Sequence, residues 1–423
     1  MIVSKRVRLA YGRRGLEIEV PESADVVEPR PALPLEDEEG AVREALRNPH
    51  GGRPLRDAVP AGSRVAISVC DITRAFPARR VLPVLLDELA AARPAEVTVC
   101  IATGTHRVAT PEELRALLGD EVLGRVRVAQ HDAFDPAAHA DVGTVPGSDT
   151  PARIDAGFLE HDVRITTGFI EPHFFAGFSG GPKMVAPGLA QLETVLELHS
   201  AARIGDPRAT WGVTVGNPVH DPVRAIAERV RVAFNLDVLL DRDHRITAVF
   251  GGDLLTSHAA GCELARQTAM QGVPRPYDVV VTTNSGYPLD QNLYQTVKGM
   301  SAAAQIVRPG GAIVVASECA DGVPEHGGFG RLLRAGKGPE AFLAGLERQA
   351  TEHDQWNVQV QARIQRQARV LVHSDGLTPE QLQAAWLEPA GDVSAAVREL
   401  AGRSGTVAVL PEGPQTIPYV AQV

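Results

Sequence analysis

The feature that most constrains this chain is a repeated unit: a short apolar, β-branched run, then a polar or glycine-rich loop, then a helical stretch. Arg64 to Val69 (RVAISV) leads through polar residues into a helix near Val81 to Ala92. Glu96 to Ala102 (EVTVCIA) leads through Gly104-Thr105-His106-Arg107 into a helix starting near Pro111. The pattern returns at Val163 to Thr167, Val279 to Thr283 and Ala312 to Ala316. Runs that are apolar along their whole length are buried on both faces, which is the condition of a parallel sheet covered by helices. The expected fold class is therefore α/β, with two domains, each a largely parallel sheet covered by helices. A chain of 423 residues has room for two or three domains. The turn-rich segment Gln271 to Tyr277 (QGVPRPY) separates an N-terminal domain, 1–270, from a C-terminal α/β domain, 275–404. Residues 1 to 50 read as a strand pair, a proline-rich polar stretch and a helix from Gly40 to Arg47. Thr406 to Leu410 reads as one more strand, and the tail, about 405–423, is expected to return to the first domain.

Composition narrows the function. Hydrophobic residues are 44% and charged residues 22%, ordinary for a globular protein, with aromatics at only 4%, so aliphatic side chains fill the core. The net charge of -10 has the wrong sign for broad phosphate neutralisation, so no nucleic-acid partner is expected. Cys70, Cys100, Cys262 and Cys319 form no CxxC pair. No apolar run approaches membrane-spanning length, and residues 1–20 lack the apolar core of a signal peptide. The expectation is a cytoplasmic protein with no membrane partner.

In open α/β sheets ligands bind beyond the carboxyl ends of the strands, and the unusual residues of this chain fall there. Asp71 and Arg74 follow the first run, His106 and Arg107 the second, and the block from Glu171 to Lys183 the third. Two histidines, His106 and His173, suit proton transfer on either face of one substrate, because each changes charge near neutral pH. Equally, His106 is a backbone-bonded loop residue and His173 a half-buried structural one between its phenylalanine neighbours. Asp71 and Arg74 are either a simple ion pair or, through Arg74, a carboxylate grip. Gly177, Ser179, Gly180 and Gly181 before Lys183 read as an anion-binding loop or as a tight Gly-Pro turn. The loop matches neither GxxxxGK[ST] nor GxGxxG. His199 stands alone on a helical run, and spacing supplies no metal site around it. Asp290 to Gly299, dense in polar groups, is cleft material or a helix start capped by Asp290. Arg363, Arg366 and Arg369 read as a solvated helix face.

Taken as a set, Asp71-x-x-Arg74, Gly104-Thr105-His106-Arg107, EPHFFAGFSGGPKMVAPG from Glu171 to Gly188, His199 and Tyr294-Gln295-x-x-Lys298 resemble the nickel-dependent lactate racemases and related 2-hydroxyacid racemases and epimerases. The likeness covers about residues 60 to 300, with Trp356 beyond. It implies an isomerase that passes a hydride reversibly between a small 2-hydroxyacid, lactate by default, and a nickel-pincer nucleotide. That cofactor is a pyridinium-3-thioamide-5-thiocarboxylic acid mononucleotide, covalently tethered to a lysine that Lys183 matches. Its nickel takes two sulfurs, a ring carbon and one histidine, which His199 matches. By the same resemblance His106 and His173 are the acid/base pair. Asp71, Gly177, Ser179, Gly180 and Gly181 help hold the cofactor, and Arg74, Tyr294, Gln295 and Lys298 hold substrate in an interdomain cleft. Cofactor-maturation enzymes are the implied partners. The competing expectations are a lysine Schiff-base aldolase or dehydratase built on Lys183, and a non-enzymatic binder of an anionic nucleotide.

Overall fold

The computed structural model describes residues 3–421 apart from Pro31, His326 and Glu347. Its contacts divide the chain into two units. The first comprises Pro31–His199 and Pro207–Arg266; the second comprises Met1–Arg30, Ser200–Asp206 and Gln267–Val423.

The first unit is built on a six-stranded sheet in the order Ile246–Gly252, Phe234–Leu240, Val163–Phe169, Arg64–Cys70, Glu96–Ala102, Arg127–Gln130. All neighbours are parallel except the edge strand Ile246–Gly252. In the central strand Arg64–Cys70 every residue after Arg64 is buried, which is why its sequence shows no alternation. Helix Ala78–Ala92 sends Val81, Leu82, Leu85 and Leu89 into the core at helical spacing. Helix Pro111–Leu123 starts where Thr110 and Glu113 form a reciprocal capping box. Because Arg64–Cys70 lies between Val163–Phe169 and Glu96–Ala102, the loops leaving these three parallel strands emerge side by side at the carboxyl end of the sheet.

The second unit holds a wholly parallel sheet in the order Glu388–Pro389, Arg369–His373, Val307–Ala316, Tyr277–Thr283, Val407–Leu410, Asp25–Val26. Both units are thus α/β, as the periodicity predicts. The N-terminal hairpin, Ser4–Leu9 with Leu16–Pro21, packs Leu9, Ile18 and Val20 against Val279, Val281, Val314 and Val409, so it belongs to this unit. The tail also differs from expectation. Val407–Leu410 is buried along its length between two strands of this second sheet, and Ile417–Val420 pairs in parallel with Met270–Val273. Four consecutive buried aliphatic or alanine side chains fill an interior sheet position better than a surface return would. The arginine-bearing helix, Gln355–Gln367, is not a solvated face either. Residues 355 to 362 are buried, and Arg363 is half-buried and donates to the Ile204 carbonyl, leaving Arg366 and Arg369 exposed.

Candidate active site

In the register of the central strands Cys70 lies opposite Ala102, so the loops that follow start level with one another. That alignment brings Asp71 to His106. The His106 ring donates from Nδ1 to Asp71 Oδ2 at 2.9 Å, while Asp71 Oδ1 accepts from the Thr73 amide at 2.7 Å and from its hydroxyl. Burial pushes the Asp71 carboxyl up, but the His106 hydrogen bond, the charges of Arg74 and His106 and the Thr73 hydroxyl outweigh it and hold the group at about 2. A fixed carboxylate on Nδ1–H sets the tautomer: in the neutral ring Nε2 carries the lone pair. Arg74 is exposed and makes no salt bridge among the described residues, so the simple Asp71–Arg74 ion pair is absent. Arg107 is engaged elsewhere, in a two-pronged pair with Glu113 at 2.6 and 2.7 Å. Gly104, at φ +56°, turns its amide onto the Gly188 carbonyl at 2.9 Å, joining this loop to the end of the lysine-bearing one.

The third loop follows Val163–Phe169 and opens with a two-residue ladder in which His173 faces Gly177. His173 is half-buried, stacked on Phe174 at 5.0 Å and edge-on to Phe175 at 4.5 Å. Its Nδ1 accepts from the Ala176 amide at 3.2 Å, which puts the proton of the neutral ring on Nε2. The two histidines are therefore held in opposite tautomers. Lys183 lies in the short 3-10 turn Gly181–Met184, its Nζ 6.0 Å from the centre of the Phe175 ring. His199 ends helix Leu192–Leu198 and is buried, edge-on to Phe175 at 5.3 Å. Its Nδ1–H donates to the Val195 carbonyl at 2.7 Å, leaving Nε2 as the basic nitrogen. One phenylalanine ring thus gathers His173, Lys183 and His199. Sequence reading treated Phe175 only as a neighbour; its signal is its place midway in a block with function on both sides.

The glycine loop works differently from the anion nest that its composition suggests. The Gly181 amide donates to both oxygens of Asp237, at 3.2 and 3.0 Å, and the Ser179 hydroxyl donates to the Phe169 carbonyl at 2.9 Å. Both donors are spent inside the protein. What these glycines supply is space. A Cβ at Gly177 would lie 2.0 Å from the Val213 carbonyl oxygen, one at Gly180 2.9 Å from that of Phe169, and one at Gly181 2.5 Å from the His258 ring. Asp237 is fully buried, and desolvation raises its pKa against the pull of His258 and Asn235. Asp237, His220 and His258, the buried supports of this loop, are residues that sequence reading missed, because they follow Lys183 by tens of positions and meet it only through the fold.

Tyr294, Gln295 and Lys298 belong to the second unit. They share the half-buried face of helix Leu293–Ala303, whose other face buries Leu293, Thr296, Val297 and Met300. The cap is Asn292, which accepts from the Gln295 amide at 3.1 Å. Asp290, the expected cap, is instead buried and accepts from the amides of Gly12 and Glu318. Trp356 is buried beside His353. Among the described residues no cluster of three or more His, Cys, Asp or Glu side chains is arranged to hold a metal.

Comparison with known proteins places these features. Residues 11–212 match the model of the lactate racemase N-terminal domain and residues 273–417 that of the lactate racemase C-terminal domain. The chain is 36% identical over 389 residues to the lactate racemase of Thermoanaerobacterium thermosaccharolyticum, covering 90% of each protein. It is 34% identical over 386 residues to that of Lactiplantibacillus plantarum, covering 89% of this chain and 90% of the relative. The solved lactate racemase apoprotein from T. thermosaccharolyticum superposes with a TM-score of 0.92 at 34% identity, covering 98% of this chain and all of that one. A Thermotoga maritima protein shares the fold at a TM-score of 0.70 and 20% identity over 92% of this chain.

Proposed function

The chain belongs to the lactate racemase family of isomerases, and from that premise we propose that it interconverts the enantiomers of lactate or another short aliphatic 2-hydroxyacid, using a nickel-pincer nucleotide tethered to Lys183. The observation that carries this reading is the opposed pair of histidines: His106 with Nδ1–H on Asp71, His173 with Nδ1 accepting from Ala176. One neutral ring presents a basic Nε2 able to take a hydroxyl proton, and the other an Nε2–H able to donate a hydrogen bond to the same oxygen; either ring gives up a proton only from its imidazolium form.

The residues fit the cofactor. Lys183 offers a primary amine and His199 a metal-ready Nε2, both beside Phe175, and the Nδ1–H bond to Val195 fixes the histidine as second-sphere partners do at metal centres. A single protein ligand suffices where the group brings its own sulfur and carbon donors. When bound, the group supplies a reversible acceptor for the C2 hydride. His106 takes the hydroxyl proton of one enantiomer at Nε2 and Asp71 stabilises the imidazolium so formed; for the other enantiomer His173 returns a proton to the same oxygen from its own imidazolium form, which leaves that ring neutral. Exposed Arg74 grips the carboxylate, and Tyr294, Gln295 and Lys298 are the further substrate contacts of this proposal. Gly177, Ser179, Gly180 and Gly181 shape the tether loop that holds the cofactor, the Gly181 amide and the Ser179 hydroxyl already being engaged within the protein. Among the described residues no helix is long and apolar enough to cross a membrane.

The test is racemisation of D- and L-lactate, read by chiral chromatography, in protein produced together with cofactor-maturation enzymes. Conversion in both directions, slowed by deuterium at C2, is the expected result. A matured protein that leaves both enantiomers of every short 2-hydroxyacid unchanged refutes the reading. Borohydride trapping of a keto substrate on Lys183 would replace it with the Schiff-base alternative.

A further inference from the structure

The turn after the central strand Arg64–Cys70 carries Asp71, Thr73 and Arg74. Asp71 and Arg74 have roles in the reaction proposed above, and Thr73 has none. Yet Thr73, although exposed, turns both of its donors onto Asp71. Its amide donates to Asp71 Oδ1 at 2.7 Å and its hydroxyl to the same oxygen at 2.5 Å, while the Arg74 amide closes the turn on the Asp71 carbonyl at 3.1 Å. The Thr73 hydroxyl oxygen also lies 3.5 Å from His106 Nδ1.

A carboxylate offers about four lone-pair positions, two on each oxygen. Thr73 fills both positions on Oδ1, and His106 fills one on Oδ2 at 2.9 Å. The count matters because of Arg74. Burial pushes the Asp71 carboxyl up, and the Arg74 charge is the largest influence lowering it after the His106 hydrogen bond, so the guanidinium is within electrostatic reach. A two-pronged pair between arginine and a carboxylate is among the strongest side-chain contacts, and it needs an open position on each oxygen. Oδ1 has none. Among the described residues Asp71 and Arg74 form no salt bridge, and Arg74 stays exposed.

We propose that Thr73 is a positioning residue: its hydroxyl saturates Asp71 Oδ1, which keeps the carboxylate on His106 and leaves Arg74 open to the carboxylate of the substrate. Thr73 itself touches neither substrate nor cofactor; it decides which of two cations Asp71 holds. Valine has the shape of threonine without the hydroxyl, so Thr73→Val opens one position on Oδ1 and lets Arg74 fork onto Asp71. The carboxylate then leaves His106, and the guanidinium is lost to the substrate. Serine keeps the hydroxyl and with it the arrangement. The roles of His106 as base and of Arg74 as carboxylate grip rest on the proposed function, whereas the competition for Asp71 does not.

The test therefore reads Asp71 before it reads turnover. Ring-nitrogen NMR shifts of the full chain, in mildly alkaline solution and without maturation, give the tautomer of His106, whose signals are identified by their loss in His106→Gln. Wild type and Thr73→Ser should hold the Nδ1–H tautomer, Thr73→Val should shift toward Nε2–H, and Thr73→Val/Arg74→Ala, with the competing cation removed, should return to Nδ1–H. In matured chain Thr73→Val should raise KM for lactate roughly tenfold at unchanged adduct mass and nickel content, with Thr73→Ser close to wild type. A tautomer unmoved in Thr73→Val overturns the proposal, as does one that Thr73→Ser fails to preserve or that removing Arg74 fails to restore. An unchanged KM in Thr73→Val overturns the claim that the hydroxyl reserves Arg74 for substrate. A matured wild type that racemises no 2-hydroxyacid, while the shifts behave as expected, defeats the proposed function and leaves the competition for Asp71 standing.

Discussion

Replacing Asp71 by Asn tests the catalytic account at its most specific contact. The carboxyl is held at about 2 instead of its ordinary 3.8 even though burial pushes the other way, so its partners favour the charged form by roughly 2.5 kcal/mol. His106 contributes first among those lowering influences, but its side chain is 42% exposed, so solvent screens part of the pair and about 2 kcal/mol is the better figure. Arg74 and the Thr73 hydroxyl supply part of that energy, so the share that stabilises the imidazolium formed as His106 accepts its proton is worth up to roughly 30-fold in kcat. An asparagine also offers its amide to Nδ1 and moves the ring proton to Nε2, which removes the base and deepens the loss. The assay is racemisation of lactate, with nickel content and adduct mass measured on the same sample. The expected variant keeps its cofactor and KM and loses 30-fold or more in kcat. A variant within threefold of wild type refutes the positioning role; one that loses its cofactor as well returns Asp71 to the cofactor-holding role that the sequence resemblance implies.

Three other outcomes are expected. His173→Ala, like His106→Ala, should abolish racemisation in matured protein while retaining the adduct; substantial turnover in either, read by chiral chromatography, contradicts the two-base scheme. Gly181→Ala should lower the melting temperature by several degrees, since its φ of +47° costs roughly 1–2 kcal/mol for an L-residue and its Cβ would meet the His258 ring at 2.5 Å; an unchanged melting curve refutes the steric role. His131 is buried, paired through Nε2 with His139 at 3.0 Å, and held by desolvation at about 4. A folded-state pKa below the unfolded 6.5 means that the native chain binds fewer protons, so this stability is full above pH 6.5 and is lost as pH falls toward 4. Between pH 7 and pH 5 the His131 contribution is roughly 2 kcal/mol. His131→Gln should flatten the pH dependence of urea unfolding by about that amount, and an unaltered slope refutes the assignment.

The strands were legible because Arg64–Cys70, Tyr277–Thr283 and Val407–Leu410 are buried on both faces and so are written as unbroken apolar runs. Which sheet each joins was not, since Val407–Leu410 pairs with strands more than a hundred and nearly four hundred positions away. His106 and His173 stood out by their place after strands. Their opposed tautomers depend on the Cys70–Ala102 register and on the turn at Ala176, neither of which composition encodes. The glycines before Lys183 announced an unusual backbone, but the partner of the Gly181 amide, Asp237, lies 56 positions on, so a loop spending its donors internally looked like one offering them. Helix Gln355–Gln367 misled for a related reason: Arg363, Arg366 and Arg369 read as a solvated face, yet the helix is mostly buried and the Gln359 and Gln361 amides donate to the carbonyls of Ala201 and Ala385 inside the fold.

The central claim is that Lys183 and His199 together carry a nickel-bearing nucleotide. Its most direct test is peptide-mapped intact mass with nickel analysis on chain co-produced with maturation enzymes, beside His199→Ala and Lys183→Ala. The account predicts a nucleotide-sized adduct on Lys183 with about one nickel per chain, adduct without tightly held nickel in His199→Ala, and neither in Lys183→Ala. An unmodified, nickel-free chain, from a host in which a known lactate racemase acquires both, contradicts it.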